Sequence, residues 1–153
     1  MSYDLLVFEP SAAPLDPAEF RQWFSKQAEW AEDHDYANPT VSSPALQRWY
    51  AAMVPDYPNL QDPGLTDDQI DAPTVTDYSL GSSVIYCAFR WTIAEQAYEK
   101  VRSLAVECAV GFYDVSGDEG DGEIYFPGNE LRAPSGGAWR QVAQDFRDLE
   151  SNQ

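Results

Sequence analysis

Prolines punctuate this chain, and their positions restrict it to short elements joined by turns. Residues 3–9, YDLLVFE, are rich in aromatic and branched side chains and predict a strand that stops at Pro10. Asp16 is a good helix N-cap, Pro17 fits the first helical position, and Glu19 reaches the capping-box position. Phe20, Trp23, Phe24, Gln27, Trp30 and Ala31 then recur at helical spacing and predict an aromatic, core-facing stripe. A second helix is predicted after Ser43, with Pro44 at its first position, Leu46, Trp49, Tyr50 and Met53 on one side, and Pro55 as its end.

Pro55, Pro58, Pro63 and Pro73 predict a long loop with no regular element over most of residues 55–73. A loop of that length in a small domain is commonly functional. Thr74 to Trp91 read as two strands around Gly81-Ser82-Ser83. Thr92 and Glu95 predict a capping box for a third helix, with Ile93, Ala97, Val101, Leu104, Ala105 and Cys108 on its apolar side. VGFYDV (110–115) and EIYFP (123–127) predict a further hairpin. Trp139, Val142, Phe146 and Leu149 predict a last amphipathic helix after Gly136-Gly137. The order predicts one α+β domain over 1–153: a single antiparallel or mixed sheet of about five strands with helices packed on one face. The third helix is placed to complete a split β-α-β unit, and residues 135–153 form a helix appended to the core.

Charge narrows the function. The 153 residues carry 9 Lys and Arg against 26 Asp and Glu, a net charge of −17, with His34 the single histidine. Polyphosphate affinity comes from cations replacing counterions, so nucleic acid is not an expected partner. An apolar content of 44% is too high for a disordered acidic tail. No run of 18 apolar residues exists to span a bilayer, and MSYDLLVFEP lacks the basic start of a signal peptide, so a cytoplasmic protein is expected. Cys87 and Cys108 lie among apolar residues and read as free thiols. With one histidine and two cysteines, a nitrogen and sulfur zinc site cannot be completed, and neither metal nor cofactor is expected.

The acidic turn from Asp114 to Glu123 invites a calcium reading. Counted from Asp114, however, it puts Glu119 where an EF-hand loop needs glycine and Tyr125 where it needs the bidentate glutamate. His34 lies between Asp33 and Asp35 just past the first helix, where an imidazole can act as acid or base, but a helix-end or partner-contact role is the expectation. Gly81-Ser82-Ser83-Val84 lacks the second glycine of a nucleophile elbow. The chain carries neither a phosphate-binding nor a dinucleotide-binding glycine motif.

The layout of charge is more informative. Trp49 to Phe89 contains no Lys or Arg while Asp56, Asp62, Asp67, Asp68, Asp71 and Asp77 accumulate. Ser103 to Leu131 is a second such stretch, with Glu107, Asp114, Asp118, Glu119, Asp121, Glu123 and Glu130. Tyrosines lie among them at Tyr36, Tyr57, Tyr78, Tyr113 and Tyr125. Such a surface can merely keep a protein soluble; as a recognition face, its carboxylates steer a basic partner and its tyrosines supply contact area.

YDLLVFEP, the Trp- and Phe-rich first helix ending near His34, TDYSLGSSVIYCAFRW and VGFYDVSGDEGDGEIYFP resemble small acidic immunity proteins encoded beside bacterial polymorphic toxins. The resemblance covers about Tyr3 to Pro127 and is one of pattern; no catalytic residue carries over. It implies a cytosolic antidote, monomer or homodimer, that binds a cognate toxin domain acting in the cytoplasm, such as a nuclease. On that reading Asp67, Asp68, Asp71, Asp77, Asp118, Glu119, Asp121 and Glu123 steer a basic toxin domain, and Tyr57, Tyr78 and Tyr125 anchor it. The alternatives are a nucleic-acid mimic that occupies a host DNA- or RNA-binding protein, and a small metal-dependent hydrolase using paired carboxylates.

Overall fold

The first predicted strand, β1 (Tyr3–Phe8), lies in the middle of a five-stranded sheet in the computed structural model, which describes residues 2–118, 122–128 and 138–151. Its apolar residues fall on both sides because both sheet faces are covered: Tyr3, Leu5 and Val7 enter one core cluster, Leu6 and Phe8 another. The remaining strands are β2 (Asp77–Leu80), β3 (Val84–Phe89), β4 (Gly111–Tyr113) and β5 (Ile124–Tyr125). They are arranged β2-β3-β1-β4-β5, with every neighbouring pair antiparallel. Since β3 and β4 each run opposite to β1, they run parallel to one another, and α4 (Ala94–Cys108) joins them across β1 as a split β-α-β unit.

Register explains one glycine. Phe8 lies opposite Gly111, and a β-carbon there would sit 2.2 Å from the Phe8 ring. The missing side chain lets that ring lie across the strand.

The main core lies on the Tyr3, Leu5 and Val7 face. There α2 (Pro44–Met53) contributes Leu46, Trp49 and Met53, while α4 contributes Ala97, Tyr98, Val101, Leu104 and Ala105. Buried Trp49 satisfies its indole N–H on the Val101 carbonyl at 3.3 Å. The final helix, α5 (Ala138–Ser151), adds buried Ala143 to the same cluster and stacks Phe146 on Trp91 with ring centroids 6.2 Å apart. The α+β class and single sheet are as expected, but the helices are not confined to one face. α1 (Pro17–Gln27) covers the other side, where Phe20 packs on Phe8 at 4.9 Å and on Tyr113 at 5.1 Å. Each such buried aromatic contributes roughly 1.5–3 kcal/mol. The aromatic stripe of α1 is therefore taken up by this chain's own sheet.

Local signals were followed where capping chemistry was unambiguous. Asp16 accepts from the Glu19 N–H, and Ser43 caps α2 by accepting from the Leu46 N–H. α1 stops at Gln27, earlier than its stripe suggested; Trp30 adopts a left-handed φ of 52° and packs on Tyr36 and Tyr86 from a loop. The proposed Thr92–Glu95 capping box does not form. A 3-10 turn over Trp91–Ile93 comes first, Ile93 takes the N-cap position, and the buried Thr92 hydroxyl has no hydrogen-bond partner among the described residues. The proline-rich segment holds one regular element that its prolines obscured: α3 (Asp67–Asp71), started by a reciprocal capping box between Thr66 and Gln69. Among the described residues, no helix is long and apolar enough to cross a membrane.

Candidate functional site

The two acidic stretches have different fates. In the second, the side chains turn inward. Buried Glu123 accepts two hydrogen bonds from Arg102, at 2.7 and 3.0 Å, and one from the Tyr98 hydroxyl at 2.9 Å. Burial pushes Arg102 toward a lower pKa, but the hydrogen bond and charge of Glu123 outweigh it and hold the guanidinium above its ordinary value. Asp118 accepts from Arg21 Nε at 2.8 Å, from the Tyr113 hydroxyl and from the Gly122 N–H. Asp114, fully buried, accepts from the Gly117 N–H at 3.0 Å and lies 3.5 Å from the Tyr3 hydroxyl. These acids fasten the β4–β5 connection to α1, α4 and β1. Asp118 and Glu123 are thus structural ion-pair partners, not members of a solvent-facing steering set. Glu119 and Asp121, named with them, lie outside the described residues.

The tyrosine anchors are corrected in the same way. Tyr78 is 0% exposed, Tyr57 7% and Tyr125 8%, so none offers a ring to a partner. The Tyr78 hydroxyl donates to the Tyr57 carbonyl at 2.7 Å, and burial drives its pKa far upward. Strand alternation carried this signal: in β2, Tyr78 and Leu80 face inward while Asp77 faces out.

The first stretch stays at the surface. Asp56, Asp62, Asp67, Asp68, Asp71 and Asp77 are all exposed. The segment folds back on itself. Thr76 donates its N–H to the Pro58 carbonyl at 2.8 Å, and Leu60 donates to the Thr76 carbonyl at 2.8 Å. Buried Asn59 ties the base of the loop to α2 by donating to the Tyr50 hydroxyl at 3.0 Å, while its carbonyl accepts from the Gln61 N–H. Asp67 and Asp68 occupy the first turn of α3, where acids are favoured, and Asp77 opens β2 within 3.5 Å of the Gln61 amide. Asp56 pairs with Lys100 at 3.0 Å.

Two apolar side chains in this acidic segment are exposed, Leu60 at 46% and Ile70 at 42%. Sequence reasoning missed them because they follow neither a helical nor a strand period. It also missed a cleft of about 510 Å³ between the end of α2 and the loop, lined by Tyr50, Val54, Pro58, Asn59, Asp62 and Leu65 among others. That volume falls within the roughly 300–1,000 Å³ usual for ligand pockets.

His34 packs against Tyr36, with ring centroids 4.3 Å apart. Its Nδ1 accepts from the Tyr36 N–H at 3.2 Å, leaving Nε2, 3.1 Å from Glu32 Oε1, as the protonated nitrogen of the neutral ring. Glu32 in turn accepts from the Ser82 N–H at 3.2 Å. Burial pushes the Glu32 pKa up, but hydrogen bonds from Ser82 and His34 outweigh it and hold the carboxyl below its ordinary value. The unit fastens the 28–36 loop to the β2–β3 turn. Among the described residues, no three His, Cys, Asp or Glu side chains converge as a metal site would require. Cys87 is a buried free thiol and Cys108 a half-buried one.

No protein-family model matches this chain, and neither a curated protein nor a solved structure is detectably similar to it.

Proposed function

We infer that this protein acts by docking: it binds and neutralises a basic protein domain, a cognate bacterial toxin domain in the reading its sequence suggests, through the segment 56–77. The observation that carries this reading is the contrast between the acidic stretches. In one, Asp118 and Glu123 pair with Arg21 and Arg102, whereas the other has six exposed aspartates, of which Asp56 meets Lys100, in the same segment as exposed Leu60 and Ile70. Singly exposed apolar side chains are common on any surface, and Leu15, Val106 and Leu149 are exposed elsewhere on this one; what supports an interface here is that Leu60 and Ile70 lie in the acidic segment, since an interface combines an apolar centre with a charged rim. The aspartates would speed encounter with a positive surface, and the two aliphatic side chains would lose water on contact.

The test uses the C-terminal domain encoded by the reading frame immediately upstream, mixed with this protein in stopped flow. The expected result is a stoichiometric complex whose association rate falls steeply between about 0.05 and 0.5 M salt. Changing Asp67, Asp68, Asp71 and Asp77 together to Asn should slow association and flatten that dependence. A salt-indifferent rate, or one unchanged by the four substitutions, would refute the reading.

A further inference from the structure

The cleft beside the acidic loop has a chemistry that docking by surface charge does not use. Asp62 is its one charged lining residue; the rest are aromatic, aliphatic, proline or neutral polar. Asp62 Oδ1 accepts from the Gly64 N–H at 2.9 Å, and its second oxygen has no donor among the described residues. The Tyr50 hydroxyl, which accepts from Asn59 at 3.0 Å, leaves the ring as part of the lining. The cleft therefore sets a single carboxylate in a mixed lining, in which Tyr50, Val54, Pro58 and Leu65 stand beside Asn59, Gln61 and Gln69; the chain from Trp49 to Phe89 contributes no cation, and Lys100 reaches this segment at Asp56.

An aliphatic side chain would desolvate Asp62 without replacing its lost water, and an anion would be repelled. Lysine would have to strip a tightly hydrated ammonium. A guanidinium is weakly hydrated, lies flat on aromatic surface and meets a carboxylate with a planar fork of donors.

We propose that the cleft receives one arginine side chain of the basic partner, its stem lying on Tyr50, Val54 and Pro58 and its guanidinium meeting Asp62. The assignment rests on the docking reading and adds to it the identity of the central contact. Steering by the aspartates of α3 and β2 governs how fast the partner arrives; the seated arginine governs how long it stays.

The experiment titrates the ¹⁵N-labelled protein with the peptide Gly-Arg-Gly and with its citrulline and lysine counterparts. Arginine should shift the amides of Asn59, Gln61 and Leu65, with citrulline, the uncharged isostere, weaker by about tenfold or more. Asp62→Asn keeps an oxygen for the Gly64 N–H and should abolish the preference for arginine over citrulline; Leu65→Trp fills the cleft and should abolish the shifts. Equal responses to arginine and citrulline, or shifts confined to Asp67, Asp68 and Asp71, would overturn the proposal. With the upstream-encoded domain, Leu65→Trp should raise the dissociation rate and leave the salt-dependent association rate unchanged. If dissociation is also unchanged, the arginine assignment fails and docking stands. If association of the unaltered protein is indifferent to salt, docking fails, and the cleft assignment loses the partner it relies on.

Discussion

Removing Arg102 tests whether the second acidic stretch is structural. The side chains of the Arg102–Glu123 pair are 13% and 3% exposed, and the carboxylate meets the guanidinium through both oxygens. In Arg102→Ala the carboxylate keeps the Tyr98 hydroxyl but loses its cation, and stranding a buried charge in this way costs about 3–5 kcal/mol. The surviving Tyr98 bond places the expectation near about 3 kcal/mol, a large share of the roughly 5–15 kcal/mol that holds a domain together. Urea unfolding followed by tryptophan fluorescence would show the midpoint falling by about 1–3 M. Arg102→Met with Glu123→Leu should recover most of the loss, since neither member of the pair is then left as an unpartnered charge. A cost below about 1 kcal/mol for Arg102→Ala would mean that water screens the pair and that the hairpin is not fastened through it.

Three further outcomes are expected. Asp67, Asp68, Asp71 and Asp77 changed together to Asn should move unfolding stability by no more than about 0.5 kcal/mol per site, because each is exposed; thermal melts compare this variant with the Arg102 series. Gly111→Ala should destabilise by about 1–3 kcal/mol, because the new methyl must displace the Phe8 ring 2.2 Å away, and circular dichroism melts would register it. The folded-state pKa of Glu32 lies below its ordinary 4.5, so its stabilisation is present above pH 4.5 and lost as pH falls through the lower folded value. Glu32→Gln should thus be less stable than the parent at pH 7 and approach it at pH 3 in chemical denaturation.

The parts of this molecule legible in sequence are those whose causes are local. Asp16-Pro17 and Ser43-Pro44 predict helix starts because cap and proline act within one turn, and the β2–β3 turn is read from three consecutive residues. Long-range matters were not legible. Asp118 and Glu123 look like solvent-facing acids until Arg21, 97 positions away, and Arg102, 21 positions away, are brought to them. Thr92 and Glu95 satisfy the spacing of a capping box, yet the chain first tightens through Trp91, whose ring is held between Tyr3 and Phe146. α3 was hidden by the prolines around it although Thr66 and Gln69 carried its signal. Tyr78 was misread as an anchor through attention to residue type over strand phase.

The central position of β1 has a consequence for biosynthesis. Phe8 emerges from the ribosome long before Val84, the residue it will face, and 84 − 8 = 76 positions separate them. At about 5–20 residues per second, that is a wait on the order of 4–15 s. Throughout it, Leu5-Leu6-Val7-Phe8 has neither neighbouring strand to pair with, which makes it a ready template for pairing with another nascent chain. The residues that will be the most protected in the finished molecule are thus the most at risk while it is being made, and a polar substitution in them would weaken pairing between nascent chains while costing the finished core its stability.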